Sequence, residues 1–75
     1  MGPIKVYSTP HCKPCLQVKD LLNKLGRAFE ERSVINPAYA KEAFEISGQM
    51  MVPVTVIGDR IIAGFSKSRI EEALN

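Results

Sequence analysis

The sequence predicts an α/β protein built in the order β-α-β-α-β-β-α. Three observations carry that reading. Ile4-Lys5-Val6-Tyr7-Ser8 is a short β-branched and aromatic run that stops before Pro10, as a strand entering a loop does. From Lys13 onward the apolar period becomes helical, with Val18, Leu21, Leu22 and Leu25 at i, i+3, i+4 and i+7. Further on, Val52–Gly64 holds two β-branched runs flanking Gly58-Asp59, a two-residue turn suited to a tight hairpin.

The remaining elements follow in order. Asp20 and Lys24 stand one turn apart on the polar face of the first helix, in the favourable orientation. Gly26 ends that helix. Ala28–Ile35 reads as a second strand despite its charges. A strand-helix-strand unit of this length crosses over right-handed, so the first two strands run parallel. Asn36-Pro37 supplies an N-cap followed by proline at the first helical position. Tyr39, Ala40, Ala43, Phe44 and Ile46 form the expected buried face of the second helix, and Gly48 stops it. Ser66 or Ser68 caps the last helix, the latter with capping-box spacing to Glu71. Ile70, Ala73 and Leu74 face inward from it. No repeat, linker or low-complexity segment interrupts the chain, and residues 1–75 are expected to form one domain.

Composition excludes several classes of function. The 75 residues lie close to the lower size limit for a stable core, but 45% of them are hydrophobic. Ten Lys and Arg stand against eight Asp and Glu, a net charge of +2 without a basic run, too weak a field for nucleic acid. The aromatic residues are few and scattered, which offers no base-stacking surface. No apolar run approaches the ~20 residues of a transmembrane helix. The N-terminus lacks a signal-peptide core. Gly2 fails the myristoylation pattern because Val6 stands where Ser or Thr is required. The expectation is a cytoplasmic monomer that binds neither nucleic acid nor membrane.

Tyr-Ser-Thr-Pro-His-Cys-Lys-Pro-Cys, residues 7–15, contains both cysteines of the chain. In a reducing cytosol such a pair is seldom a permanent staple. A C-x-x-C pair alone leaves redox chemistry and metal binding open. A structural zinc site needs about four ligands, and Cys12, Cys15 and the single His11 fall short of that. The strand-to-helix position favours redox chemistry. It places Cys12 at a helix N-terminus, where unpaired amides and the dipole stabilise a thiolate. Lys13 adds positive charge, and Pro14 stiffens the turn without an amide hydrogen. Cys15, one turn further in, is expected to be more buried and to keep its proton. Cys12 is therefore the attacking sulfur and Cys15 the resolving one.

Over nearly its whole length the chain resembles glutaredoxin-like members of the thioredoxin-fold superfamily. The residues that carry the resemblance are the 7–15 segment, Met51-Val52-Pro53-Val54 and Ala63-Gly64-Phe65. The resemblance implies a four-stranded mixed sheet of order 2-1-3-4 flanked by three helices. It also implies a cis peptide bond before Pro53, with that proline lying against the cysteines.

Departures from the family pattern decide which branch is expected. Glutathione-using glutaredoxins typically carry Lys three residues before the first cysteine, Thr two before the cis-proline, and Gly-Gly followed by an acidic residue near the last helix. This chain has Thr9, Met51, and Gly64-Phe65 followed by Ser66, Lys67 and Ser68. Thioredoxins carry a buried Asp and a Trp where Val6 and His11 stand here. A proline two before the first cysteine and the Gly-Phe pair are similar to NrdH-type redoxins. Those are usually reduced by a thioredoxin-reductase-like partner, and many serve ribonucleotide reductase.

The expected substrate-binding residues are Lys13, Pro14, Met51, Val52, Pro53, Gly64 and Phe65. Pro14, Met51, Val52 and Phe65 would form an apolar collar around Cys12. His11 either modulates the thiolate or is a loop residue in a contact surface. One of Met50 and Met51 is expected on a soft binding rim. The implied function is electron transport through dithiol–disulfide exchange on protein disulfides. It needs no bound cofactor, and the electrons come from a flavin-containing thioredoxin-reductase-type or ferredoxin-linked enzyme. The alternatives are a glutathione-dependent glutaredoxin and a metal or iron–sulfur carrier that ligates through Cys12.

Overall fold

A computed structural model describes residues 3–75, so Gly2 lies outside it. The elements are β1 (Ile4–Ser8), α1 (Lys13–Lys24), β2 (Glu30–Ser33), α2 (Pro37–Ser47), β3 (Val54–Ile57), β4 (Arg60–Ala63) and α3 (Lys67–Leu74). They form one four-stranded sheet of order β2-β1-β3-β4. β1 pairs with β2 in parallel and with β3 antiparallel, and β3 pairs with β4 antiparallel. This is the expected thioredoxin-fold arrangement.

Alternation along the strands sends side chains to two layers. Ile4, Val6, Ile57 and Ile62 pack with Val18, Leu21 and Leu22 of α1 and Ile70 of α3. On the opposite face Tyr7 and Val54 pack with Ala43 of α2, flanked by Val34, Tyr39, Ile46 and Val56. Two buried polar side chains sit among the described core residues, Ser8 and Thr55. Thr55 Oγ1 has no hydrogen-bond partner there.

Three details differ from the sequence reading. β2 is Glu30–Ser33 rather than Ala28–Ile35, because β1 offers partners only from Lys5 to Ser8. The chain then turns away, with the Asn36 N–H on the Ser33 carbonyl. In α2 only Ala43 is buried, while Tyr39 and Ile46 are half-buried and Ala40 and Phe44 are exposed. α2 covers its side of the sheet alone, so its flanks meet solvent. Leu25 caps α1 beyond its last turn and is exposed. Of the two caps the sequence offers for α3, the structure uses Ser66, its hydroxyl accepting from the Arg69 N–H at 3.4 Å. Gly48, at φ 71°, ends α2 in the left-handed conformation that glycine adopts without strain.

Candidate active site

The site forms where β1 hands over to α1. Cys12 is the N-cap of α1, in extended conformation, with Pro14 in the first turn. Its Sγ accepts a hydrogen bond from the Cys15 N–H at 3.3 Å, so the sulfur itself satisfies an amide the helix leaves open. His11 turns the chain into this cap with φ at 60°. Its side chain is exposed and makes no hydrogen bond or ion pair among the described residues.

Cys12 and Cys15 are joined as a disulfide, with their Cα atoms 5.2 Å apart. Their environments differ sharply. Cys12 is partly exposed, whereas Cys15 has 0% exposure on the buried stripe of α1. Lys13 and Pro14 between them are exposed.

The segment before β3 holds three more of the residues expected at the site, Met51, Val52 and Pro53. Val52-Pro53 is a cis peptide bond, and Pro53 is buried. The Gly64 N–H donates to the Pro53 carbonyl at 2.8 Å, which ties the end of β4 to this loop. A Cβ built on Gly64 would stand 3.7 Å from the Met51 methyl, so Met51 reaches across to that glycine. Val52 makes no backbone hydrogen bond among the described residues.

Three residues of the collar expected from sequence border two grooves. Met51 and Val52 border an apolar groove with Val34, Ala43 and Phe44 on the α2 side. Phe65 borders a separate groove with Leu21, Lys24 and Lys67 on the α1–α3 side. Both methionines of the loop are exposed, Met50 to 92%. The two grooves share no lining residue.

Two charged clusters flank the site, and neither was read from the sequence. On the α1 face the Ser8 hydroxyl donates to Glu31 Oε2 at 3.0 Å, and Lys19 Nζ donates to the same oxygen at 2.6 Å. Lys19, and then Ser8, hold the Glu31 carboxyl below the usual carboxylate range. On the α2 face Tyr7 OH and Arg32 both donate to Glu42, and Arg32 Nε pairs with Glu30 at 2.6 Å. The Arg32 guanidinium also lies over the rings of Tyr7 and Tyr39, at 5.8 and 5.2 Å from their centroids. Burial, and then Glu42, raise the pKa of Tyr7. Strand alternation could have located the first cluster, since Ser8 shares a face with Val6. The spacing of Lys19 from Cys15, one helical turn, pointed the same way. Among the described residues no three or more His, Cys, Asp or Glu side chains gather as a metal site would need.

The glutaredoxin family model matches residues 4–62, which include both cysteines and Pro53. An "uncharacterized glutaredoxin-like 8.6 kDa protein in rubredoxin operon" from Clostridium pasteurianum is 35% identical over 72 residues, covering 95% of this chain and 96% of its own. The glutaredoxin of Archaeoglobus fulgidus superposes with a TM-score of 0.91 over 100% of this chain and 88% of its own, and at 23% identity that likeness is one of fold. The glutaredoxin-like NrdH-redoxin of Escherichia coli superposes with a TM-score of 0.83 at 28% identity, over 95% of this chain and 93% of its own. A thiol pair at a helix start, closed as a disulfide, is the chemistry this relationship describes. The chain belongs to the glutaredoxin family and is a thiol–disulfide oxidoreductase.

Proposed function

We propose that the protein carries electrons to protein disulfides and is itself re-reduced by a flavin-containing thioredoxin-reductase-type enzyme or a ferredoxin-linked equivalent, rather than by glutathione. The observation that carries the division of labour is the contrast between the two sulfurs. Cys12 is a partly exposed N-cap and Cys15 is enclosed. In the reduced protein the Cys12 thiolate attacks the substrate disulfide. The substrate backbone pairs with Val52 as a short added strand, a role open to Val52 because its own amide and carbonyl are unpaired among the described residues. Pro53 shields the sulfurs, and Met51, Gly64 and Pro14 meet the substrate's apolar groups. Cys15 then displaces the reduced substrate, leaving the disulfide between Cys12 and Cys15. Ribonucleotide reductase is one substrate such a carrier would serve.

The choice of reductant rests on three positions. Thr9 lacks the charge of a lysine that would pair with a glutathione carboxylate. Met51 lacks a hydroxyl, and Phe65 puts a ring where a second glycine would admit the tripeptide backbone. Each lost contact costs roughly 1–3 kcal/mol where a charged group is left unpaired. Several together weaken binding about a hundredfold or more, at about 1.4 kcal/mol per factor of ten. The potential is expected nearer to about −270 mV than to the roughly −200 to −230 mV of glutaredoxins. The test is to follow NADPH consumption with glutathione plus glutathione reductase, and separately with thioredoxin reductase. Fast turnover with thioredoxin reductase and slow turnover with glutathione are expected. Efficient turnover with glutathione alone would assign the protein to the glutathione-dependent branch.

A further inference from the structure

Cys15 has 0% exposure, yet the second step of the proposed cycle requires its thiol to lose a proton. Enclosure in an apolar setting disfavours the charged sulfur, so the proton needs a neighbour to receive it. Of the two buried polar side chains in the described core, Thr55 lies deeper, opposite Val6 in the β1–β3 register. Ser8 lies at the correct edge. Ile4, Val6 and Ser8 alternate onto the face covered by α1, and Ser8 is the last of them. Cys15, Val18 and Leu22 form the buried stripe of α1, and Cys15 is the first of them. β1 leads directly into the loop from which α1 starts, so the end of the strand and the start of the helix share one edge of the sheet.

Ser8 also has an outlet. Its hydroxyl, in a residue only 1% exposed, donates to Glu31, whose side chain is 50% exposed. Lys19, one helical turn beyond Cys15, grips the same carboxylate oxygen. Polar groups therefore run from Ser8, at the edge of the sheet where α1 begins, to solvent at Glu31. The charged groups facing this path are Lys19 from α1 and Glu31 from β2. Ser33 of β2 and Thr9 and Pro10 of the loop border the same hollow without charge. His11 and Lys13 are exposed beside Cys12.

We propose that Ser8 and Glu31, steadied by Lys19, form the proton exit for Cys15, an inference that rests on the reading of Cys15 as the resolving thiol. As Cys15 Sγ bonds to Cys12 Sγ, the bond between Cys12 and the substrate sulfur breaks. The substrate sulfur leaves with the electron pair. The Cys15 proton passes to Ser8 Oγ while the Ser8 proton passes to Glu31. Glu31 then releases it to water or to the departing thiolate, and Ser8 returns to its starting state. The substrate disulfide is the only oxidant. Lys19 grips the oxygen that accepts from Ser8 and so holds the carboxylate in place.

The test uses the full, reduced chain mixed with one equivalent of dithiobis-nitrobenzoate, an aromatic disulfide that releases a coloured thiolate. The first release reports attack by Cys12, and the second reports displacement by Cys15. Stopped-flow absorbance across the neutral pH range resolves the two. Ser8→Ala should slow the second release about tenfold or more, with a steeper rise with pH, and leave the first release near its original rate. Glu31→Gln, at a half-exposed position that the fold tolerates, should slow the second release in the same sense. Ser8→Thr, which restores the hydroxyl, should restore the rate. A second release in Ser8→Ala and Glu31→Gln that matches the wild type in rate and pH profile would overturn the proposal. So would equal slowing of both releases, which marks a packing role alone. Absence of any second release from the wild type would instead overturn the assignment of Cys15 as the resolving thiol.

Discussion

Replacing Thr55 by valine is expected to make the protein more stable. Thr55 is fully buried, and its hydroxyl oxygen has no hydrogen-bond partner among the described residues. The strand register sets it between Val6 of β1 and Ile62 of β4. Those two residues, with Ile57 two positions along, belong to the apolar layer under α1 and α3. The hydroxyl therefore gave up its water on folding and gained nothing in return. Such a loss costs roughly 1–3 kcal/mol in proteins. Valine has nearly the same shape, keeps the β-branch suited to a strand, and replaces the hydroxyl with a methyl. A gain of about 1–3 kcal/mol follows, which for a chain of this size raises the thermal midpoint by roughly 4–24 °C. Urea unfolding of the disulfide form, followed by circular dichroism, should show a higher midpoint with an unchanged slope. Thr55→Ser keeps the hydroxyl but loses a buried methyl, and should cost about 1 kcal/mol. If Thr55→Val is no more stable than the wild type, the hydroxyl has a partner, such as an enclosed water, and the reasoning fails.

Cys12 caps α1 in partial contact with solvent, so it should alkylate far faster than Cys15 below neutral pH, with a pKa under the free value of about 8.5. Mass spectrometry of the reduced protein checks this; Cys15→Ser should trap mixed disulfides and Cys12→Ser should not, and equal alkylation rates would refute the assignment. Stability should also decline on the acid side. Arg32 lowers the pKa of Glu30, Lys19 that of Glu31, and the Tyr7 hydroxyl that of Glu42, each from an ordinary 4.5. The folded state binds fewer protons at these groups than the unfolded chain does. Their contribution is therefore present above the ordinary value and lost as pH falls through the lowered ones. Urea midpoints measured from neutral to strongly acid pH should fall in that window, and less steeply in Lys19→Met; a midpoint that stays flat would show the pairs to be without effect.

The parts of the fold that were legible in the sequence depend on residues a few positions apart. Val18, Leu21 and Leu22 announced the buried stripe of α1, and all three are buried. Asn36-Pro37 announced the start of α2, and Gly58-Asp59 the hairpin between β3 and β4. Where the reading overran, the reason was the partner element. Ala28–Ile35 has strand character, but β1 ends and leaves the flanks unpaired. Phe44 has the right spacing for burial, but no second helix covers that flank of α2. Met51 and Phe65 border separate grooves, which no spacing along the chain reveals.

The sequence by itself determined the element order and the redox motif. Helical period, capping and the position of Cys12 before the first turn of α1 are local properties, set by steric and hydrogen-bond rules within a few residues. Only the tertiary structure decided what surrounds the motif. Ser8 meets Glu31 across 23 positions, Lys19 meets Glu31 across 12, and Tyr7 meets Glu42 across 35. Each meeting depends on strand register and on which helix covers which face. A slip of one residue in β1 or β2 would send its members of these pairs, Tyr7 and Ser8 or Glu31, to the other face. Register is held by the two apolar layers acting together, so the electrostatics of the site are a consequence of packing that no single segment contains.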